Sequence, residues 1–302
     1  MDNQTIRIGS RDSRLAIIQS KIIIERICEA YPSVKPELIT MKTMGDKILN
    51  KTLDKIGGKG LFLKELDEAL FEKRVDLCVH SLKDVPVAEN ELCPLGAFSR
   101  REIPYDVLVL QKGKKELDLS QPVGCSSPRR TIQFMQLHPD ANVIPVRGNV
   151  QTRLEKLDRG EYGALILAEA GLVRLGLQER ISYRFSVSEM VPSAGQGVIA
   201  VQGRRGEYKE LLESINNKES EICVRTERLV SKLLGGDCSS PIGVFAETVN
   251  GKMHIYGFYS ENGVSACADI CGDNTENEQL ASELVNRLKS LIDEKRSVQQ
   301  WS

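Results

Sequence analysis

Cys238 sits within the run Leu234-Gly235-Gly236-Asp237-Cys238-Ser239-Ser240-Pro241-Ile242-Gly243, a thiol carried on a glycine-rich turn. About a hundred residues upstream (from the numbering) lies Ser126-Ser127-Pro128-Arg129-Arg130, followed by Arg147, Arg153 and Arg174. An accessible thiol combined with arginines spread over several loops suits an anionic species that is held by charge and tethered through sulphur. On the residues alone, three readings of Cys238 stay open: a buried structural thiol, a nucleophile and a covalent attachment point. The absence of a neighbouring histidine to act as base weakens the second, and the Gly-Gly-Asp lead-in weakens the first.

Ser127 is placed to cap a helix and Pro128 to occupy its first position. That helix start offers free backbone N–H groups beside the guanidinium groups of Arg129 and Arg130, a seat for carboxylate or phosphate. Arg11-Asp12-Ser13-Arg14 repeats the arrangement, and so does Arg147-Gly148-Asn149 with Arg153 one turn further on. Three strand ends that each carry arginine into a helix start would line one edge of an open α/β sheet, where ligands of such sheets bind. Together they favour a polyanionic, carboxylate-bearing ligand over solvated charge.

His80-Ser81-Leu82-Lys83-Asp84-Val85-Pro86 closes another apolar strand. In isolation Asp84 reads as a turn cap. Among many arginines it stays ionised, able to stabilise a cation or move a proton at a reacting centre. Gly57-Gly58-Lys59-Gly60 lacks the Gly-Lys-Ser/Thr ending of a phosphate loop and reads as a mobile loop. His80, His138 and His254 are far apart and lack metal-ligand spacing. With no dinucleotide fingerprint and no Ser-His-Asp order, no metal or nicotinamide chemistry is expected.

The elements that must position these groups alternate between strand and helix over the first two-thirds of the chain. Strands are expected at 5–9, 37–42, 75–80, 107–110, 123–126, 143–146 and 164–168. Helices are expected after Ser13, over 62–72, and from near Pro128, Asn149 and Ala170. This alternation predicts parallel sheets covered by helices, and 195–201 reads as a crossover into one more strand. After about Lys218 the pattern changes to a helix over 220–234, two hairpins at Asn250-Gly251 and Asn262-Gly263, and a final helix over 276–294.

A chain of 302 residues is too long for one average core, so two or three domains are expected. A net charge of −1 excludes a globally basic nucleic-acid binder, and 5% aromatic residues are too few for base-stacking platforms. No stretch approaches the ~20 apolar residues of a membrane span, and the N-terminus lacks the pattern of a signal peptide. The eight cysteines contain no Cys-x-x-Cys, which predicts mostly reduced, buried thiols and a cytoplasmic location.

Six ordered motifs resemble the hydroxymethylbilane synthase (porphobilinogen deaminase) family over nearly the whole chain. They are 9–16, 59–62, 80–86, 126–130, 147–153 and 170–176, and they end in the Cys238 turn. The resemblance implies an α/β fold of two periplasmic-binding-protein-like domains with a cleft between them, plus a small C-terminal α+β domain with a three-stranded antiparallel sheet. The boundaries it suggests are 1–97 with 196–217, 98–195, and 218–302.

The implied activity is a transferase reaction that joins four porphobilinogen units into hydroxymethylbilane with release of ammonia. It starts on one covalent dipyrromethane per chain, thioether-linked to Cys238. Asp84 aligns with the catalytic carboxylate, which contacts the pyrrole N–H and stabilises the cationic azafulvene left as ammonia departs. Ser81, Lys83, Asp84, Ser127, Arg129 and Arg130 would hold the cofactor. Arg11, Ser13, Gln19, Lys59, Phe62, Arg147, Arg153, Arg174 and Gln196 would hold substrate, beneath a mobile lid at 46–60. A monomer with no nucleic-acid or membrane partner is implied.

The chain departs from the family pattern at Asp237, where a second glycine is usual beside the cysteine, at Cys125 in place of threonine and at Pro128 in place of leucine. The competing reading, a non-enzymatic two-lobed anion-binding protein, explains the arginines but neither Cys238 nor Asp84.

Overall fold

The computed structural model describes residues 4–43, 63–236 and 240–299. Lys59, Phe62, the 46–60 loop, Asp237 and Cys238 lie outside the described residues.

Met1–Glu102, Arg174–Gly176 and Gly197–Glu221 group as one unit. Its strands are β1 (Thr5–Arg11), β2 (Lys35–Met41), β3 (Leu77–Ser81), β4 (Leu95–Phe98) and β10 (Ile199–Gly203), in the order β2-β1-β3-β10-β4. Helix α1 (Arg14–Ala30) starts because Ser13 Oγ accepts the Ala16 N–H at 3.2 Å, satisfying a donor that the helix cannot. Its buried stripe is Gln19, Ser20, Ile23 and Ile27, whereas apolar spacing alone predicts Leu15, Ile18 and Ile22. On this stripe Gln19 faces inward to meet Ser81, as described below. Ile23 and Ile27 pack with Ile6, Ile8, Leu77, Val79 and Val201, joined by Leu211 and Ile215 of α6 (Lys209–Ile215). On the other face, α2 (Lys64–Phe71) packs Leu66, Ala69 and Leu70 against Val75, Cys78 and Cys93. The sheet is therefore covered by helices on both faces.

A second unit holds Ile103–Val173, Leu177–Gln196 and Ile222–Ser302. Its first sheet has β5 (Asp106–Leu110), β6 (Val123–Gly124), β7 (Val143–Ile144), β8 (Ala164–Ala168) and β9 (Tyr183–Arg184), ordered β7-β6-β8-β5-β9. Helix α3 (Pro128–Leu137) packs Phe134 into one core beside this sheet, and α4 (Val150–Asp158) packs Leu154 and Leu157 into another. The short α5 (Glu169–Arg174) follows β8 directly.

Neither sheet is wholly parallel, contrary to the prediction from strand-helix alternation. In each, three strands run parallel and the fourth, β10 or β5, is antiparallel to both its neighbours. The two sheets thus share one plan, with the reversed strand supplied where the chain crosses between units. Alternation reads the βα units correctly but carries no signal for a strand that enters a sheet from elsewhere in the chain.

In the C-terminal part, α7 (Lys218–Leu233) precedes β11 (Ile242–Val249), β12 (Lys252–Glu261) and β13 (Val264–Asp273), which form a three-stranded antiparallel sheet. Both expected hairpins are present. Asn250, Gly251, Asn262 and Gly263 all have φ between 51° and 81°, as two-residue turns of the I′ kind require. Helix α8 (Asn277–Gln299) covers the sheet through Leu280, Leu284 and Leu288. The expected α/β fold with a C-terminal antiparallel sheet and helix is the one that the chain adopts.

Gly197 precedes β10 at φ +88°, and a Cβ there would lie 2.4 Å from the Glu102 carbonyl oxygen. Gly197→Ala should therefore destabilise the protein by more than about 1 kcal/mol, seen as a lower urea midpoint with an unchanged slope.

Candidate functional site

β1 and β3 are parallel neighbours, paired through Ile8 with Leu77 and Gly9 with Cys78. Their carboxyl ends therefore emerge side by side. From the end of β1 come Arg11 and then Ser13, the cap of α1. From the end of β3 comes Ser81, leading into a single 3-10 turn, Leu82–Asp84, whose Leu82 is fully buried and anchors the half-buried Lys83 and Asp84. One pocket, with about 460 Å³ of space including that open to solvent, is lined by Arg11, Ser13, Gln19, His80, Ser81 and Asp84 among others. Five of the sequence-predicted residues meet there. Gln19 Nε2 lies 2.9 Å and Oε1 3.0 Å from Ser81 Oγ, which locks the first helix to the strand end.

His80 also lines this pocket, a role that sequence reading does not assign. Burial lowers its pKa to about 4, and the charges of Arg11 and Asp84 reach it with opposite signs. Arg174 is held elsewhere in the same unit, donating from Nη2 to the Gly197 carbonyl at 2.6 Å. Burial lowers its pKa to about 10, so it remains a cation at neutral pH.

In the second unit the predicted helix starts are present with their caps. Ser127 Oγ accepts from Arg130 N at 3.5 Å, and Asn149 Oδ1 accepts from Thr152 N at 2.9 Å. Ser126 Oγ donates to the Val146 carbonyl at 2.6 Å and accepts from its N–H at 3.0 Å, tying the end of β6 to the loop that carries Arg147. Arg153 Nε turns back to the Gly148 carbonyl at 2.8 Å.

Arg129 and Arg130 are 3% and 8% exposed, so they are not solvated charge. Both converge on Asp106, the first residue of β5, which is completely buried. Arg130 Nη2 lies 2.7 Å from Asp106 Oδ1 and Arg129 Nη1 2.8 Å from Oδ2, while Gln196 Nε2 donates to Oδ1 at 2.9 Å. The Arg129 contact is an ion pair without an aligned hydrogen bond, since Oδ2 counts as a buried acceptor lacking one. Burial pushes the Asp106 carboxyl up, but Arg129 and Arg130 more than reverse this and hold it well below the ordinary range. Asp106 is the residue that sequence reasoning missed. Its only signal is a lone acid at the head of an apolar strand.

The residues present fit an acceptor-rich, carboxylate-bearing group. Besides these arginines, Gln151 Nε2 is buried with no hydrogen-bond partner in the turn between Arg147 and Arg153. No cluster of three His, Cys, Asp or Glu side chains suited to a metal occurs among the described residues. Nor is any described helix long and apolar enough to cross a membrane.

The fold is that of a multi-domain α/β protein in which β1, β6 and the loop after β7 each lead arginine into a capped helix start. Residues 6–212 match the model described as "Porphobilinogen deaminase, dipyromethane cofactor binding domain", and 221–290 match "Porphobilinogen deaminase, C-terminal domain". The chain is 50% identical to a porphobilinogen deaminase of Alkaliphilus oremlandii over 285 residues, covering 94% of this chain and 96% of that protein. It is also 50% identical to one from Acetivibrio thermocellus over 280 residues, 92% and 96% of the two chains. Among solved structures it aligns with the BenM effector binding domain with benzoate at 18% identity and a TM-score of 0.41, covering 78% of this chain and 95% of that one. The chain belongs to the porphobilinogen deaminase family. Its reaction is the polymerisation of porphobilinogen in tetrapyrrole synthesis, a transferase activity that uses a dipyrromethane cofactor.

Asp106 should leave a pH signature. It stays ionised in the folded chain but protonates near pH 4 when unfolded, so its contribution is full above about pH 4 and is lost as the pH falls further. Asp106→Asn, which leaves two buried guanidinium groups without a counter-charge, should cost about 3 kcal/mol at neutral pH. In urea titrations it should lose less stability than wild type on acidification below about pH 4; equal losses would remove Asp106 from this role.

Proposed function

We propose that the pocket at the ends of β1 and β3 is where porphobilinogen reacts, with Asp84 as the working carboxylate. The observation that carries this reading is the meeting of Arg11, Ser13, Gln19, Ser81 and Asp84 around one opening. Arg11 and the capped start of α1 attract a substrate carboxylate. Asp84 accepts the pyrrole N–H and offsets the positive charge that develops as ammonia leaves. Lys83, on the same short turn, adds a cation for a second acid group.

In this reading Cys238 is the attachment point of the dipyrromethane, which, when bound, supplies the tethered end on which growth starts. Ser127, Arg129, Arg130, Lys83 and Ser81 hold its acid groups, and Arg147, Arg153, Arg174, Gln196, Lys59, Phe62 and Gln19 serve the substrate. For Arg129 and Arg130 the buried Asp106 supports a particular division of labour. Asp106 fixes both guanidinium groups, which sets their orientation at the start of α3. We assign three domains, 1–97 with 196–217, 98–195 and 218–302, supported by the three separate sheets. A cytoplasmic monomer follows from the same reading.

Intact mass spectrometry after expression in a porphobilinogen-producing host tests it. The wild-type chain should carry the mass of two pyrrole units, and Cys238→Ala should carry none. An unmodified wild-type mass, or an adduct that survives in Cys238→Ala, contradicts the assignment. Holoenzyme assembly in Asp237→Gly, compared with wild type, reads the effect of the acid beside that thiol: an inward-facing Asp237 predicts faster assembly in the variant.

A further inference from the structure

Behind the pocket lies a buried polar chain that the assigned chemistry does not use. His80 Nε2 is 2.9 Å from Gln202 Oε1, and Gln202 Nε2 donates to Asp67 Oδ1 at 2.9 Å and to the Cys93 carbonyl at 2.8 Å. Both partners of the Gln202 nitrogen are acceptors, so the amide has one sensible orientation: nitrogen toward Asp67 and Cys93, oxygen toward the ring. An amide oxygen can only accept. His80 therefore carries its proton on Nε2, and in the neutral ring Nδ1 holds a free lone pair.

That nitrogen has no hydrogen-bond partner among the described residues, and it is not one of the buried polar atoms left unsatisfied. With Nε2 turned inward and His80 among the residues that line the pocket, Nδ1 is the ring nitrogen left to face the opening in this inference. The charged and titratable groups around the ring are Arg11 from β1, Asp84 from the 3-10 turn and, through Gln202, Asp67 from α2.

The geometry points to His80 as a second substrate-facing group of this pocket, its Nδ1 a neutral hydrogen-bond acceptor for a substrate N–H, with Gln202 and Asp67 as the positioning residues that fix its tautomer. Burial, helped by the charge of Arg11, outweighs the opposing pulls of the Gln202 acceptor and Asp84 and keeps the ring uncharged at neutral pH, so it orients the substrate without adding a second cation beside Arg11. A protonated ring there would oppose the positive charge that Asp84 offsets. The inference rests on the reading of this pocket as the reacting site, but the tautomer can be measured without turnover.

The test uses the full chain with 15N-labelled histidine, His80 being assigned by its loss in His80→Asn. Nε2 should give a pyrrole-type and Nδ1 a pyridine-type resonance, unchanged between about pH 8 and pH 5. The reverse tautomer, or titration inside that window, overturns the inference. Gln202→Glu places a carboxylate against the ring and raises its pKa. Turnover should then fall about tenfold or more as the pH drops from about 8 to 6, with KM little changed and activity regained at the higher pH. A merely structural lesion gives a loss that pH does not rescue. Should Gln202→Glu fail to fold, Gln202→Leu releases the tautomer: mixed ring resonances with lowered kcat support the inference. Mixed resonances with full kcat overturn it and leave the role of Asp84 untouched.

Discussion

The site depends on how closely β1 and β3 approach. Gly9 stands opposite Cys78, and a Cβ on residue 9 would lie 2.8 Å from the Cys78 sulphur and 3.2 Å from Val75. Because nothing occupies that space, the side chains of Cys78, Val75 and Leu66 pack directly under β1, while the parallel register of the two strands delivers Arg11 and Asp84 to one opening. The Ser13 cap, the Gln19–Ser81 pair and the anchoring Leu82 then hold the strand ends in place. A carboxylate placed by strand ends and a buried leucine has little freedom to drift, which is what the role proposed for Asp84 needs.

A ligand rich in carboxylates asks for many cations, and cations repel one another. In the proposed reading the chain meets this by fixing arginines internally. Asp106 neutralises part of the Arg129 and Arg130 pair inside the protein, Gly197 fixes Arg174 by a carbonyl, and Gly148 does the same for Arg153. Donors held this way lose less conformational freedom when a ligand arrives. Removing Asp106 would leave two buried cations without this counter-charge, whereas removing one arginine would leave a balanced pair.

What the sequence makes legible is local. Ser13, Ser127 and Asn149 announce their helices because a cap acts within three residues, and Asn250-Gly251 and Asn262-Gly263 announce hairpins because such residues take the required φ most readily. The family motifs carry the identity of the chemistry. What is not legible joins residues far apart in the chain. Gln202 meets His80 across 122 positions and Asp67 across 135, and Gln196 meets Asp106 across 90. No periodicity connects such pairs. The same distance effect hides the reversed strands β5 and β10, whose sheet neighbours are set by topology. Among the described cysteines, Cys78, Cys93, Cys125 and Cys223 are buried, as composition leads one to expect, whereas Cys28, Cys267 and Cys271 are exposed.

The central claim is that Asp84 acts on the substrate in the chemical step, and single-turnover kinetics on the holoenzyme address it directly. Asp84→Asn keeps the size of the side chain and removes its charge. The account predicts that this variant binds its first porphobilinogen with near wild-type affinity, while ammonia release in a rapid-quench experiment slows by about a hundredfold or more. Release at the wild-type rate would contradict it.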